Sequence, residues 1–132
     1  MKYMLLIYGN EAGFASATKT QVDQVMAAYG AYTEAMKKAG VMSAGDPLAQ
    51  SSSATTVRVA NGKSQVLNGP YAETKEQLGG FFVLEAEDMT QAIQLVSKHP
   101  GLQAGPFEIR PVEDMTEVVR QSEQRRSKAI AK

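Results

Sequence analysis

The sequence contains no cysteine and a single histidine, His99. Without cysteine there are no disulfides, thiolate metal ligands or thiol nucleophiles, and the composition agrees with a reducing, cytoplasmic setting. With one histidine, a transition-metal site would have to rest on carboxylates. No His-x-x-x-His or Glu-x-x-His pair lies on any helical stretch, so neither a metal nor a cofactor is expected. A Ser-His-Asp system cannot be argued from one histidine at a helix end, and Ser51 to Ser53 lack a nucleophile-elbow context. Excess charge is also missing, since Lys plus Arg and Asp plus Glu number 14 each. No net field therefore draws the chain to nucleic acid or to an anionic membrane. The apolar run after Met1 breaks at Asn10-Glu11, too short for a signal segment with its cleavage site or for a membrane span.

What is present is enough for one compact domain of 132 residues, long enough to bury roughly two thirds of its unfolded surface. Residues 3–8 are uninterruptedly apolar and end at Gly9-Asn10, which reads as a strand buried on both faces. Tyr3, Leu5 and Ile7 would share one side, and Met4, Leu6 and Tyr8 the other. A loop is expected next, up to Thr18 or Thr20, with Asp23 at capping-box spacing from Thr20. Val22, Val25, Met26, Tyr29, Thr33 and Met36 then recur at helical spacing as a buried stripe, and Gly40 ends the helix as a left-handed cap. A short strand is expected within 41–48. Asn61-Gly62, between 55–60 and 63–67, is the dipeptide a two-residue type I′ hairpin turn requires. Residues 81–86 form a further apolar strand. A helix opened by Asp88 or Thr90, with Met89, Ala92, Ile93 and Val96 inward, stops at His99-Pro100-Gly101. Residues 106–111 make a last strand, and 113–128 a terminal helix whose apolar positions run out before Arg125-Arg126, leaving a tail that frays or leans on a partner.

This order is the βαββαβ plan of a ferredoxin-like α+β domain with an inserted β-hairpin and a C-terminal helix. Helices cover one sheet face. Because the first strand and residues 81–84 are apolar on both faces, the other face needs a second layer, and a second copy of the chain in a homodimer is the simplest supplier.

The stretch Asn68-Gly69-Pro70-Tyr71-Ala72-Glu73-Thr74-Lys75-Glu76-Gln77-Leu78-Gly79-Gly80, with the apolar N-terminal strand before it and Glu108-Ile109-Arg110-Pro111 after it, resembles the YCII-related proteins of the DGPF type. The likeness covers residues 1 to about 115, leaving 116–132 as a C-terminal helix and tail. It implies a dimeric ferredoxin-like α+β barrel, mostly without known function, with some relatives linked to sigma-factor-like regulators. Two departures stand out. Asn68 and Tyr71 occupy the outer positions of the Asp-Gly-Pro-Phe turn, which replaces an ionisable carboxylate with an amide. The histidine credited to the broader group falls at Tyr29 here, so a His-Asp pair cannot be carried over.

The candidate chemistry therefore gathers on the loop after the hairpin. Tyr71 and Glu73 are the candidates for acid or base work, and Lys75 for holding an anion. Asn68 and Tyr29 join them as ligand-binding candidates. Against this stands a plain structural reading: a solvated loop set by Pro70, Gly79 and Gly80 easing strand entry, Tyr29 as core, and His99 as an imidazolium facing a helix C-terminus. The favoured expectation is a protein that binds a small polar or aromatic metabolite, with turnover left open. The alternative is an interaction or regulatory module tied to a transcription regulator.

Overall fold

In the computed structural model, which describes residues 1–131, the chain runs β1 (Lys2–Gly9), α1 (Glu11–Ala15), α2 (Lys19–Lys38) and β2 (Met42–Pro47). It continues through a 3-10 turn (Ser51–Ser53), β3 (Thr55–Ala60), β4 (Lys63–Asn68), β5 (Gln77–Glu85) and α3 (Met89–Val96). A second 3-10 turn (Pro100–Gln103), β6 (Phe107–Pro111) and α4 (Thr116–Ala131) complete it. The main sheet has the order β2-β5-β1-β6, antiparallel throughout, and β3 and β4 form a separate two-stranded sheet. With the hairpin set aside, the first core strand lies between the third and the fourth, which is the ferredoxin-like α+β arrangement.

The core follows strand alternation. Tyr3 and Leu5 point to one face and are 3% and 0% exposed, with Leu84 on the neighbouring β5 at 0%. Met36 of α2 and Ala92 and Val96 of α3 close over them. Met4, Leu6, Phe81 and Val83, on the opposite face, are half-buried and belong to neither cluster.

Local chemistry sets the boundaries, with several departures from expectation. Residues 11–15, read as loop, form the short helix α1, because the Asn10 side chain accepts the Gly13 N–H at 3.1 Å. The capping box of α2 pairs Thr18 with Gln21 rather than Thr20 with Asp23. Gln21 returns its own carbonyl to the Thr18 N–H, so two free helix-end donors are satisfied at once. The stripe on α2 is only partly inward: Val25 and Met26 are exposed, because α2 meets the body through its C-terminal half, at Met36 and Tyr32. On α3, Ile93 is likewise exposed while Leu95 packs inward. Gly40 has φ +72° and ends α2 as read, and Asn61 and Gly62, at φ 53° and 74°, make the left-handed hairpin turn. The terminal helix begins later than expected, since Asp114 spends its carboxylate on the Thr116 N–H at 2.9 Å. It remains helical through Ala131, and every residue from Thr116 to Ile130 is exposed. The expectation about the tail's last residue, Lys132, falls outside the described residues.

Candidate functional site

Between β1 and β5 the register slips after Ile7: Ile7 faces Gly80, and Tyr8 faces Leu78. Gly79 is the extra residue of a β-bulge, and such bulges bend a strand and re-aim its neighbours. The carbonyl of Gly79 accepts the Leu48 N–H at 2.8 Å, which brings the chain after β2 across this end of the sheet. Gly80 has a separate reason to be glycine, since a Cβ there would stand 3.1 Å from the Asp46 carbonyl oxygen of β2. Both glycines thus act on strand geometry.

The result is an open cavity of about 1130 Å³ at the end of the sheet, walled by three segments: 48–57, 70–74, and Tyr8 with Gln77 and Leu78. Its apolar lining comes from Tyr8, Leu48, Val57, Pro70, Tyr71 and Leu78, and its polar lining from Gln50, the Ser51–Ser53 run, Thr55, Thr56, Glu73, Thr74 and Gln77.

Three segments remote in sequence are tied together behind this wall. The Glu11 carboxylate accepts the Ser51 N–H and the Ser51 hydroxyl, each at 2.7 Å. The Glu11 N–H donates to Gln77 Oε1 at 3.0 Å, and Gln77 Nε2 donates to the Thr74 carbonyl at 2.8 Å. The Thr74 hydroxyl in turn donates to the Glu76 carbonyl. A charged acceptor strengthens such bonds, so Glu11 is the centre of the clasp. On the hairpin side, Gly69 at φ +105° donates its N–H to the Ala54 carbonyl at 2.7 Å and accepts the Thr56 hydroxyl at 2.9 Å. The Arg58 guanidinium lies over the Tyr71 ring, 5.7 Å from its centroid, and tethers the loop to the hairpin by a cation–π contact.

The sequence candidates separate on this framework. Tyr71 and Glu73 line the cavity, and both are exposed, Tyr71 at 80%. Asn68 pairs with Thr55 at the end of β4, and Lys75 is an exposed loop residue; neither forms part of the wall. Tyr29 is elsewhere, half-buried on α2 with its ring 5.0 Å from that of His99. Sequence reasoning missed Tyr8, Glu11, Ser51 and Gln77. Glu11 and Ser51 carried no signal, because their partnership needs the loop after β2 to return to β1.

His99 corrects the expectation of an imidazolium at a helix end. It is 4% exposed, and its ring is packed by Tyr29, Tyr32, Phe82 and Phe107, with centroids 4.6–5.6 Å away. Nδ1 accepts the Gly101 N–H at 2.9 Å, which places the ring proton on Nε2. Burial lowers its pKa to about 4, so the ring is neutral at pH 7. The same burial raises Tyr32 to about 12 and also raises Tyr29. The Tyr32 hydroxyl donates to the Leu95 carbonyl at 2.9 Å, joining α2 to α3. The cluster is a polar knot inside the core, separate from the cavity.

Among the described residues no group of three or more His, Asp or Glu is placed to hold a metal ion, and no helix is long and apolar enough to cross a membrane. Compared with known proteins, residues 1–116 match the model of the YCII-related domain. An uncharacterized protein of Rhizobium meliloti (strain 1021) is 30% identical over 116 residues, which cover 85% of this chain and 92% of that protein. The matched region runs from β1 through β6, taking in both the bulge and the clasped loop, and the chain belongs to the YCII-related domain family.

Proposed function

We propose that the protein binds a small polar or aromatic metabolite in the cavity at the end of the sheet. The observation that carries this reading is a cavity of about 1130 Å³ whose walls are held in place by the Glu11–Ser51 and Glu11–Gln77 bonds. Pockets that take small molecules are concave, mostly apolar, and carry a few fixed polar groups. Tyr71 and Glu73 are the contact residues we place on the ligand, with Asn68 and Lys75 flanking. An enzymatic version of the same site would use Glu73 or Tyr71 as acid or base and no cofactor.

The site belongs to a homodimer in this reading. Tyr8 has the same strand parity as Met4 and Leu6, so the cavity opens on the side of the sheet that awaits a second layer. A second subunit over that face would roof the cavity. We place the protein in the cytoplasm, in keeping with a cysteine-free chain.

Tyr71→Ala combined with Glu73→Ala should abolish the thermal shifts that a metabolite library produces, since a ligand specific to the folded state raises its apparent stability. Shifts that persist unchanged in this folded variant would move the site elsewhere. A second reading, as a protein-interaction or regulatory module, is favoured by one observation: Val57, Val59 and Val66 of the hairpin are 65–70% exposed. A pull-down that recovers a stable partner and loses it with Val57→Asp and Val66→Asp would support that reading.

A further inference from the structure

The charge in the cavity wall is of one sign, and this bears on what chemistry it can take. Its uncommitted side-chain donors, the hydroxyls of Ser52, Thr55, Tyr8 and Tyr71 and the Gln50 amide, are all neutral. Six Ser and Thr hydroxyls line it: Ser51, Ser52, Ser53, Thr55, Thr56 and Thr74. Four of them already donate within the protein: Ser51 to the Glu11 carboxylate, Ser53 to the Gln50 carbonyl, Thr56 to the Gly69 carbonyl, and Thr74 to the Glu76 carbonyl. A hydroxyl whose proton is committed offers only its oxygen lone pairs. Gln77 is spent at both ends, its carbonyl on the Glu11 N–H and its amide on the Thr74 carbonyl. The single charged side chain in the lining is Glu73, a further acceptor. The Glu11 carboxylate behind Ser51 adds a second negative charge. The Arg58 guanidinium lies over the Tyr71 ring and, like Lys75, is not in the lining.

We infer that the ligand is a hydrogen-bond donor carrying a positive charge, a small amine or guanidine with an apolar or aromatic body, rather than a carboxylate or phosphate. The ammonium lies against Glu73 and the free lone pairs of the lining hydroxyls. The body packs on Leu48, Val57 and Leu78, with the Tyr8 ring offering a face that attracts a cation. An anionic ligand of the same shape meets the Glu73 carboxylate and finds only neutral donors in the lining to replace its hydration. This inference rests on the cavity being the binding site, and it assigns Lys75 no part in anchoring an anion.

The test uses the full chain and three compounds of matched shape and different charge: 2-phenylethylamine, 2-phenylethanol and 3-phenylpropionate. Binding is followed by amide and tyrosine-ring chemical shifts of Tyr8, Tyr71, Ala72 and Thr74 at pH 7. The amine should bind most tightly and the propionate least. Glu73→Gln should weaken the amine about two- to fivefold, the size an exposed ion pair supports, and leave the alcohol unchanged. Glu76→Gln, on the same loop but outside the lining, should leave all three unchanged. Propionate binding at these residues as tightly as the amine would overturn the assignment of ligand class and leave the site in place. If none of the three compounds moves the cavity resonances at millimolar concentration, the site itself falls, and the ligand class with it.

Discussion

Burial of His99 as a neutral ring ties the stability of the fold to pH. Its folded pKa of about 4 lies below the ordinary 6.5, so between these values the unfolded chain binds a proton that the folded chain refuses. Stability from this group is complete above pH 6.5 and is lost as the pH falls toward 4. At about 1.4 kcal/mol for each pKa unit, the full loss is on the order of 3 kcal/mol. Urea denaturation at pH 7 and pH 4.5 should show the fall, and His99→Phe should flatten it. That variant should also cost about 1–3 kcal/mol at pH 7, because the buried Gly101 N–H loses its acceptor. Gly101 carries a related constraint: a Cβ there would overlap the Tyr29 hydroxyl and stand 2.9 Å from its Cζ. Gly101→Ala should therefore destabilise the fold by about 1–3 kcal/mol. Thermal melts of the single variant and of Gly101→Ala combined with Tyr29→Ala would show whether the clash is the cause, since removing the ring removes the overlap.

Individual elements were legible in the sequence where the chemistry is local. The hairpin was readable from Asn61-Gly62 because only residues that tolerate positive φ close a two-residue turn, and Gly40 marked the end of α2 for the same reason. α1 was missed because five residues carry too little periodicity to register, and Asn10 reveals itself as a cap only through the Gly13 bond. Amphipathic spacing overstated the burial of Val25, Met26 and Ile93; a period shows which residues share a stripe, not how far along a helix its partner extends. Of the cavity lining, Tyr71 and Glu73 stand out in the sequence because they sit in one glycine-bounded loop. Glu11 and Ser51 do not, because a clasp between segments 40 residues apart leaves no mark in either segment. Glu11→Ala should release that clasp. The expected result is faster amide exchange at Ser51, whose N–H loses its acceptor while the N–H of residue 11 still donates to Gln77, with a loss of about 1–3 kcal/mol in global stability.

At the scale of the whole molecule, two apolar surfaces lack a partner among the described residues: the sheet face of Met4, Leu6, Phe81 and Val83, and the hairpin valines. Light scattering at micromolar concentration should report a dimer, and Leu6→Lys should convert it to a monomer by placing a charge in the centre of the sheet face. A monomeric parent protein would defeat the second-layer reading. α4 behaves differently. Its side chains from Thr116 to Ile130 are exposed and its ion pair, Glu117 with Arg120, is internal, so the helix is held by its own bonds alone. Helices of this length are marginal in water without tertiary support. Removing residues 116–132 should leave the unfolding free energy of the remaining domain within about 0.5 kcal/mol of the parent, as urea denaturation of the two would show.

The Glu11 clasp has a kinetic consequence. Ser51 and Gln77 can meet Glu11 only after β1 and β5 have paired, since that pairing sets Gly9 opposite Gln77. The strand pairing bears the entropy of closing that long loop, and the clasp bonds form on the frame it leaves. The cavity wall is therefore completed after the β1–β5 pairing that frames it. In pulse-labelling during refolding, the Ser51 amide should gain protection after those of β1 and β5, so that for part of its folding time the chain has its paired strands and an unfinished cavity wall.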